Sequence, residues 1–209
     1  MTAALDTDGF VAATNVSRET LARLETHLAL LRRWQRRINL VGATTLDDPW
    51  RRHVLDSSQL LPLLPPGPFL DVGSGAGFPG LVLAAMGAGP AHLVESDARK
   101  AAFLAEAARA AGIAVRLHRC RIEDLAPFPV ATVTARALAP LSRLLDWAAP
   151  FFEANPAVVG LFPKGAGVDD ELTAAAKDWM MEIERHPSVT DPSATILIVR
   201  TLRRGRIRA

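Results

Sequence analysis

The sequence predicts an α/β fold in which a helical extension precedes a mostly parallel, doubly wound, seven-stranded sheet. Short apolar runs alternate with helical spacers from about residue 69 onwards, which is the rhythm of βαβ units. A glycine-rich turn follows the first of these runs, where such units bind nucleotide-like ligands. The 209 residues suffice for one such domain and a modest extension, which we place at residues 67–209 and 1–66.

The extension is predicted to contain two helices. Apolar side chains recur at helical spacing through residues 21–38, and Ser17 is a suitable N-cap for the first helix. The second helix should start after Asp48-Pro49 and run to about Leu64, where a proline-rich stretch breaks it.

The remainder alternates strands with helices. Strands are predicted at residues 69–72, 92–95, 115–118, 131–134 and 158–162. Helices are predicted at residues 81–87, 98–111, 141–153 and 169–179. Segments 180–185 and 195–202, with a turn before the second, predict a closing hairpin that completes the sheet.

Composition excludes several classes of protein. The single cysteine, Cys120, rules out an intramolecular disulfide and favours a reducing compartment. No apolar run approaches the roughly 20 residues of a membrane span, and the N-terminus carries acids where a signal peptide has bases. We therefore expect a soluble, cytoplasmic protein with no membrane partner. Separately, we expect a monomer that needs no metal ion, although the sequence itself is silent on oligomeric state.

Positive charge is concentrated in two places although the net charge is only +2. Residues 200–209 contain five arginines and no acid, and residues 32–37 contain four arginines. Such patches suit phosphate contacts with nucleic acid. A solvated helix face or a compositional bias towards arginine is the alternative explanation.

The glycine-rich turn, DVGSGAGFPG at residues 71–80, indicates the type of ligand. Glycines stand at 73, 75 and 77, while a GxGxxG dinucleotide site would need a glycine at the position of Phe78. Asp71 at the end of the strand would repel a pyrophosphate but suits an ammonium group. The DxGxGxG spacing resembles the first motif of class I S-adenosylmethionine-dependent methyltransferases, and it disfavours an NAD-dependent oxidoreductase.

A second acidic residue stands where such a site needs one. Glu95 lies twenty residues after Gly75, at the predicted end of the second strand. At this place a βαβ unit sets a carboxylate against ribose hydroxyls, because a carboxylate accepts two hydrogen bonds from a vicinal diol. A solvent-exposed acid at a strand end is the alternative.

Other candidate residues follow later strands or lie in the second head helix. Glu123 could bound an adenine pocket or simply solvate its loop. Arg136 could contact the ligand, which we favour, or pair with an acid, and Lys164 could reach substrate phosphate or cap the structure. His53 and Asp56 share a helix face; a general-base dyad is conceivable, but a helix-surface pair or a tie to the catalytic domain is favoured.

The motifs together resemble one family. They are INLV at 38–41 after Trp34, RHVLDS at 52–57, the turn at 71–80, LVESDARKAAFL at 93–104, RIEDL at 121–125, TARALAPL at 134–141 and PKG at 163–165. Their order and spacing over about residues 28–175 are similar to those of the bacterial RsmG (GidB) small-subunit rRNA methyltransferases, which have the Rossmann-like class I fold. The second strand ends in Glu95 where many members have Asp.

The resemblance implies S-adenosylmethionine as cofactor, 16S rRNA or the 30S subunit as partner, and methyl transfer to N7 of a guanine. By position in the motifs, it implies cofactor contacts at Gly73, Phe78, Ile122, Glu123 and Arg136. With the residues argued above, the predicted cofactor set also includes Asp71, Gly75, Gly77 and Glu95. Arg52, His53 and Lys164 are predicted to position the substrate, and no catalytic residue is obligatory.

The target is also supported by what the sequence lacks. Methylation at C5 of a pyrimidine needs a cysteine nucleophile, and Cys120 lacks the usual Pro-Cys context. The segment Thr134–Ala137 is not the Asn/Asp-Pro-Pro-aromatic loop of many amine methyltransferases. Guanine N7 has a free lone pair and needs alignment more than a base, with Arg136 or Arg52 available to stack on it. A small-molecule methyltransferase and a non-catalytic RNA-binding module remain as alternatives.

Overall fold

The computed structural model describes residues 4–205 and confirms the predicted α/β sheet. Its strands are β1 Phe69–Val72, β2 Ala91–Val94, β3 Arg116–His118, β4 Thr132–Thr134, β5 Val159–Lys164, β6 Trp179–Pro187 and β7 Thr195–Arg204. Within this part of the chain they form one sheet in the order β3-β2-β1-β4-β5-β7-β6. Strands β1 to β5 are parallel, and β7 is antiparallel to both its neighbours. The carboxyl ends of the five parallel strands therefore share one edge of the sheet.

The helices largely follow the predicted pattern. They are α1 Thr7–Thr14, α2 Arg18–Gln35, α3 Asp56–Ser58, α4 Gly80–Ala85, α5 Ala98–Ala110, α6 Leu141–Ala154 and α7 Val168–Ala175. Helix α1, which Asp6 caps through the Gly9 amide, has no counterpart in the sequence predictions. Helix α7 ends four residues before the predicted position 179, because the buried Trp179 begins strand β6.

Ser17 caps α2 as predicted, accepting a hydrogen bond from the Thr20 amide at 3.2 Å. The second head helix is shorter than predicted, however. It starts as a π-helical turn at Trp50–Leu55, continues as α3 and ends at Ser58. The hydroxyl groups of Ser57 and Ser58 donate back to carbonyls of the preceding turn, which weakens helical continuation.

The head packs against the sheet body through a shared apolar cluster. Leu28 and Leu31 of α2, Leu81 of α4 and Phe103 of α5 all belong to it. The head is therefore fixed beside the β1–α4 turn, where it can contribute to a ligand site. The domain boundary at residue 66 stays a prediction.

None of the helices within residues 4–205 is both long and apolar enough to cross a membrane. In the same part of the chain, no group of three or more His, Cys, Asp and Glu side chains is placed to hold a metal ion.

Candidate functional site

A cavity of about 660 Å³ lies at the carboxyl ends of the first three strands. The turn after β1 forms its floor, with Glu95 after β2 and Ile122 after β3 on one side. The head segment 39–41 forms part of the opposite wall. Its volume is within the range of small-molecule sites, and its place in the fold is that of ligand sites in α/β sheets.

Gly75 shows that the turn is shaped for close approach of a ligand. Its φ is +53°, a left-handed conformation that glycine adopts without strain. A Cβ added there would have Gly73 O, 3.7 Å away, as its nearest protein neighbour, although Gly75 lines the cavity. A side chain at this position would therefore enter the cavity and occupy ligand space.

Gly77 and Asp71 do not line the cavity, and their predicted cofactor contacts stay predictions. A Cβ on Gly77 would lie 2.6 Å from Leu81 Cδ1, so this glycine allows α4 to pack on the turn. Asp71 is fully buried beneath the turn, and its Oδ2 accepts a hydrogen bond from Gly80 N at 3.2 Å. The carboxylate satisfies the first amide of α4, and its predicted contact with a ligand's ammonium group stays a prediction.

Burial also changes the ionisation of Asp71, raising the pKa of its carboxyl group to about 7. Its second oxygen, Oδ1, has no hydrogen-bond partner within residues 4–205. Asp71 is thus a buried acid that holds the turn.

Glu95 is arranged as a rigid acceptor at the cavity. Its Oε2 accepts from Gly75 N at 2.9 Å and its Oε1 accepts from Asp97 N at 2.8 Å. A carboxylate oxygen can accept two hydrogen bonds, so each oxygen retains one acceptor position. The geometry is compatible with the predicted ribose contact, which stays a prediction.

Ile122 and Glu123 lie in the turn after β3 and both line the cavity. Ile122 is buried and offers an apolar surface. The exposed Glu123 is held in place, since its Oε1 accepts from Trp147 Nε1 at 2.8 Å and from Arg143 Nη2 at 3.2 Å. Hydrogen bonds from its own backbone amide and from Trp147 hold the pKa of Glu123 below its ordinary value.

Phe78 lines the cavity between two histidines. Its ring centroid is 4.7 Å from that of His53, with near-parallel planes, and 4.9 Å from that of His27. His27 is fully buried, and its Nε2 must donate to Ala76 O at 2.8 Å, because a carbonyl can only accept. Burial lowers the pKa of His27 to about 4, so it is neutral at physiological pH.

His53 belongs to a hydrogen-bonded chain that fixes its tautomer. Arg136 Nη2 donates to His53 Nδ1 at 3.1 Å, so the ring proton is on Nε2, which donates to Thr45 Oγ1 at 2.8 Å. Burial, with the charges of Arg136 and Arg52, lowers the pKa of His53 to about 3. With both ring nitrogens engaged, His53 has no free lone pair and cannot act as a general base.

Asp56 completes this network and confirms the predicted tie. Its Oδ2 lies 3.0 Å from Arg136 Nη1, so the acid that pairs with Arg136 belongs to the head. Its Oδ1 accepts from Thr190 Oγ1 at 2.7 Å, in the loop between β6 and β7. The head, the segment after β4 and this loop therefore meet at one carboxylate.

A second cavity of about 540 Å³ adjoins the first. Both are lined by Arg52 and by the segment 136–138, so the two spaces share a wall. The remaining walls of the second cavity include Lys164 after β5 and Asp191 in the β6–β7 loop. The carboxyl end of the sheet thus offers two adjacent spaces.

Lys164 is already paired within the protein, and its predicted phosphate contact stays a prediction. Its Nζ donates to Ala139 O at 2.9 Å and pairs with Glu171 Oε2 at 2.7 Å, and its side chain is only 7% exposed. Glu171 Oε2 also accepts from the Leu141 amide at 2.6 Å, at the start of α6. The geometry is that of the capping alternative, because the ammonium group is already neutralised and bonded.

Gln35 is a site residue that the sequence predictions missed. Its Oε1 accepts from Leu40 N at 2.9 Å and Val41 N at 3.0 Å, while its Nε2 donates to Val41 O at 2.8 Å. One side chain therefore holds the segment 39–41 extended along the cavity. The INLV motif was the available signal, but its contact with Gln35 depends on how the chain turns after α2.

Comparison with known proteins identifies relatives. A family model described as rRNA small subunit methyltransferase G matches residues 20–197. Two proteins named ribosomal RNA small subunit methyltransferase G are similar in sequence. The one from Rhodospirillum rubrum is 57% identical over 95% of this chain and 98% of its own length. The one from Paramagnetospirillum magneticum is 55% identical over 91% and 93%. In structure, a ribosomal protein methylase from Lactobacillus delbrueckii subsp. bulgaricus matches with a TM-score of 0.54 and 18% identity, covering 69% of this chain and 78% of that one.

Proposed function

Because the chain belongs to the rRNA small subunit methyltransferase G (GidB) family, we propose that it transfers a methyl group from S-adenosylmethionine to N7 of a guanine in 16S rRNA. The fold is that of an S-adenosylmethionine-dependent methyltransferase. The observation that carries the proposal is the pair of adjacent cavities at the carboxyl end of the sheet. The first suits the cofactor, and the second can receive a base.

The residues of the first cavity fit S-adenosylmethionine, which supplies a methyl carbon made electrophilic by a sulfonium group. Gly75 leaves room for the cofactor against the turn, and the Glu95 carboxylate can accept from ribose hydroxyls. Ile122 offers an apolar contact for the adenine ring. Phe78, held between His27 and His53, forms a rigid wall.

Methylation of N7 is compatible with the hydrogen bonding of His53, whose two ring nitrogens are both engaged. The N7 lone pair forms a bond to the methyl carbon while the carbon–sulfur bond breaks and its electron pair stays on sulfur. No proton leaves N7, so no general base is required, and His53 has no free lone pair to act as one. Alignment within the two cavities would supply the catalysis.

The position of Cys120 argues against a pyrimidine C5 target. That chemistry needs a thiolate beside the base. Cys120, the only cysteine of the chain, lines the first cavity and not the second. Its sulfur is therefore on the cofactor side.

The cavity rim favours RNA over a small molecule. Arg52, Lys100 and Arg121 line the first cavity, where a small-molecule enzyme would have a closed apolar lid. Within residues 4–205, no hydrogen bond or ion pair holds the Arg52 guanidinium, and the residue is exposed. It is free to meet a phosphate or to stack on a base. The predictions of a monomer and of a cytoplasmic location remain predictions.

The proposal is tested by mapping the product. Purified protein is incubated with tritium-labelled S-adenosylmethionine and either 30S subunits or naked 16S rRNA from cells that lack the protein. Nucleoside analysis should place the label in 7-methylguanine, and mass spectrometry of digested rRNA should locate one nucleotide. Label in any other nucleoside, or in protein alone, would refute the assignment.

A further inference from the structure

The loop between β6 and β7, residues 188–194, forms one wall of the second cavity and is fixed by the head. Val189 N donates to Gln59 Oε1 at 2.9 Å, and Thr190 Oγ1 donates to Asp56 Oδ1 at 2.7 Å. Asp56 in turn pairs with Arg136, which lines both cavities. The loop therefore keeps a defined position relative to the segment that separates the two spaces.

Asp191 is the next residue of this loop and lines the second cavity. Its Oδ1 accepts from Ser193 N at 2.9 Å and from Ser193 Oγ at 2.7 Å. These bonds, with a smaller contribution from the charge of Arg52, hold the pKa of Asp191 below its ordinary value. In the part of the chain that the structure describes, Oδ2 has no hydrogen-bond partner. The carboxylate is thus ionised and held in place by Oδ1, while Oδ2 is available to accept a hydrogen bond.

The other two acids of this cavity are already neutralised. Asp56 is paired with Arg136 at 3.0 Å, and Glu171 is paired with Lys164 at 2.7 Å. No ion pair within residues 4–205 involves Asp191. Among the described residues, Asp191 is therefore the one carboxylate of the second cavity without an ion-pair partner.

An ionised carboxylate suits one edge of one base. The Watson–Crick edge of guanine carries two adjacent donors, N1–H and the N2 amino group, whereas adenine has an acceptor at N1 and no amino group at C2. N7 lies on the opposite edge of the ring. A guanine held by its Watson–Crick edge at the loop would turn N7 towards the segment shared with the cofactor cavity.

We propose that Asp191 reads the Watson–Crick edge of the target guanine in the second cavity and so presents N7 to the methyl group. The inference rests on the proposed function and adds a specificity-determining residue to it. Enzymes that modify a base commonly extrude it into a pocket and read this same edge. A volume of about 540 Å³ is sufficient for a base with part of its sugar.

The test compares two changes, one in the enzyme and one in the RNA. Asp191→Asn keeps an oxygen that can accept from Ser193, and asparagine is favoured in such turns, so the loop should fold. The RNA, joined from two transcripts, carries inosine at the mapped nucleotide, which removes only the N2 amino group. For the wild-type protein, inosine should lower kcat/KM roughly ten-fold or more. For Asp191→Asn, kcat/KM should be nearly the same on the inosine and guanine substrates, because the partner of the amino group is gone. Its activity on the guanine substrate should fall roughly ten- to hundred-fold relative to the wild type.

Matched controls separate this effect from loss of structure. Asp169→Asn removes an exposed acid of α7 that pairs with Arg185, and it should keep the wild-type inosine penalty. Affinity for S-adenosylhomocysteine should be the same for all three proteins, since Asp191 does not line the first cavity. Asp191→Glu, which retains the carboxylate, should keep part of the inosine penalty.

Equal inosine penalties in wild type and Asp191→Asn would overturn the inference while leaving the proposed function intact, because labelled RNA would still form. Unchanged activity of Asp191→Asn on the guanine substrate would do the same. Failure of the wild-type protein to label any guanine N7 would refute the proposed function and this inference together.

Discussion

Two arginine-rich segments have similar charge density in the sequence but opposite situations in the fold. Residues 32–37 close helix α2, and Gln35 from the same turn holds the segment 39–41 at the cofactor cavity. The four arginines there are exposed, and within residues 4–205 none has a hydrogen bond or ion pair from its side chain. They are free cations that directly precede the cavity-lining segment 39–41 in the chain.

The second segment lies at the other end of the sheet. Strand β7 is antiparallel to β5: Thr195 is opposite Lys164 at the site, and Val199 is already opposite Gly160. Residues 200–204 therefore continue away from the carboxyl ends of the parallel strands. At about 3.3 Å per residue, Arg204 is roughly 30 Å from Thr195 along the strand.

Two of the three described arginines of this second segment, Arg200 and Arg204, are paired. Arg200 bonds Glu184 at 2.9 Å, and Arg204 bonds Asp146 at 2.8 Å while its Cζ lies 4.0 Å from the Trp179 ring centroid. Arg206 and Arg208 lie outside the described residues. The expectation that both patches serve phosphate contacts therefore applies better to the head. The head arginines are free to bind phosphate, whereas Arg200 and Arg204 at the far end already have acidic partners.

The largest expected effect comes from reversing charge in the head. Arg36→Glu combined with Arg37→Glu should lower kcat/KM for rRNA methylation on the order of 100-fold and reduce its salt dependence, because two phosphate contacts become repulsive. Activity measured across a series of salt concentrations checks both effects. Arg200→Glu combined with Arg203→Glu is the matched control and should lose only a few-fold; an equal loss would show that the far end also binds RNA.

Two glycines with the same backbone conformation, one at the site and one away from it, allow a matched comparison. Gly75 and Gly112 have similar positive φ values, +53° and +61°, but only Gly75 lines the cavity. Either glycine replaced by alanine should lower the free energy of unfolding by about 1 kcal/mol. Gly75→Ala alone should also weaken binding of S-adenosylhomocysteine, roughly ten-fold, since its methyl group enters ligand space. Calorimetric titration distinguishes them, and equal affinities would remove the turn from the binding site.

Acid should change the free energy of unfolding through buried groups at the site end. The pKa values of His27 and His53 are lowered to about 4 and about 3, so acidification below their ordinary value of 6.5 protonates the unfolded chain first and lowers the free energy of unfolding. The pKa of Asp71 is raised from 3.8 to about 7. Acidification between these two values protonates the native state first and therefore raises the free energy of unfolding.

Asp71→Asn removes the favourable part of this balance. Between about pH 7.5 and about pH 5, the variant should lose about 2 kcal/mol more of its unfolding free energy than the wild type. Denaturant titration at the two pH values measures the difference. Glu184→Gln, at the exposed far end, should show the wild-type pH dependence, and an Asp71→Asn variant that did so as well would show that Asp71 is not a strongly shifted acid.

The smallest effect is expected for the far-end cation–π contact. Arg204→Ala should lower the free energy of unfolding by about 0.5–1 kcal/mol, because an exposed contact of this type is weak. Arg204→Lys, which keeps a charge, should recover part of the loss in thermal unfolding. Methylation of rRNA should be unchanged in both, and a clear loss of activity would contradict the passive role of this end.

Local chemistry explains why much of the fold was predictable from sequence. The strand boundaries were predicted within two residues, because apolar runs and turn residues are neighbours along the chain. The missed features depend on longer contacts or fine local competition: α7 stops where Trp179 joins the sheet, and the second head helix ends where serines bond back to carbonyls.

The candidate site divides in the same way. The turn glycines and Glu95 could be found by spacing, since a βαβ unit fixes their relative positions within about 30 residues. The orientation of Asp71 could not, because a strand-end carboxylate can point towards the ligand or under the turn, and only packing of Gly80 against it decides.

The sequence by itself determined the order of strands and helices, the glycine turn, the acid after β2 and the likeness to a family, all of which depend on short-range spacing. Only the tertiary structure decided that Asp56 pairs with Arg136 across 80 positions and that the loop of Asp191 forms a wall of the second cavity. It also decided that, within the described residues, the side chains of the head arginines are unpaired while Arg200 and Arg204 are paired. The physical reason is that charge and hydrogen-bonding capacity belong to a residue, whereas a partner is supplied by whichever distant segment the packing brings within bonding distance.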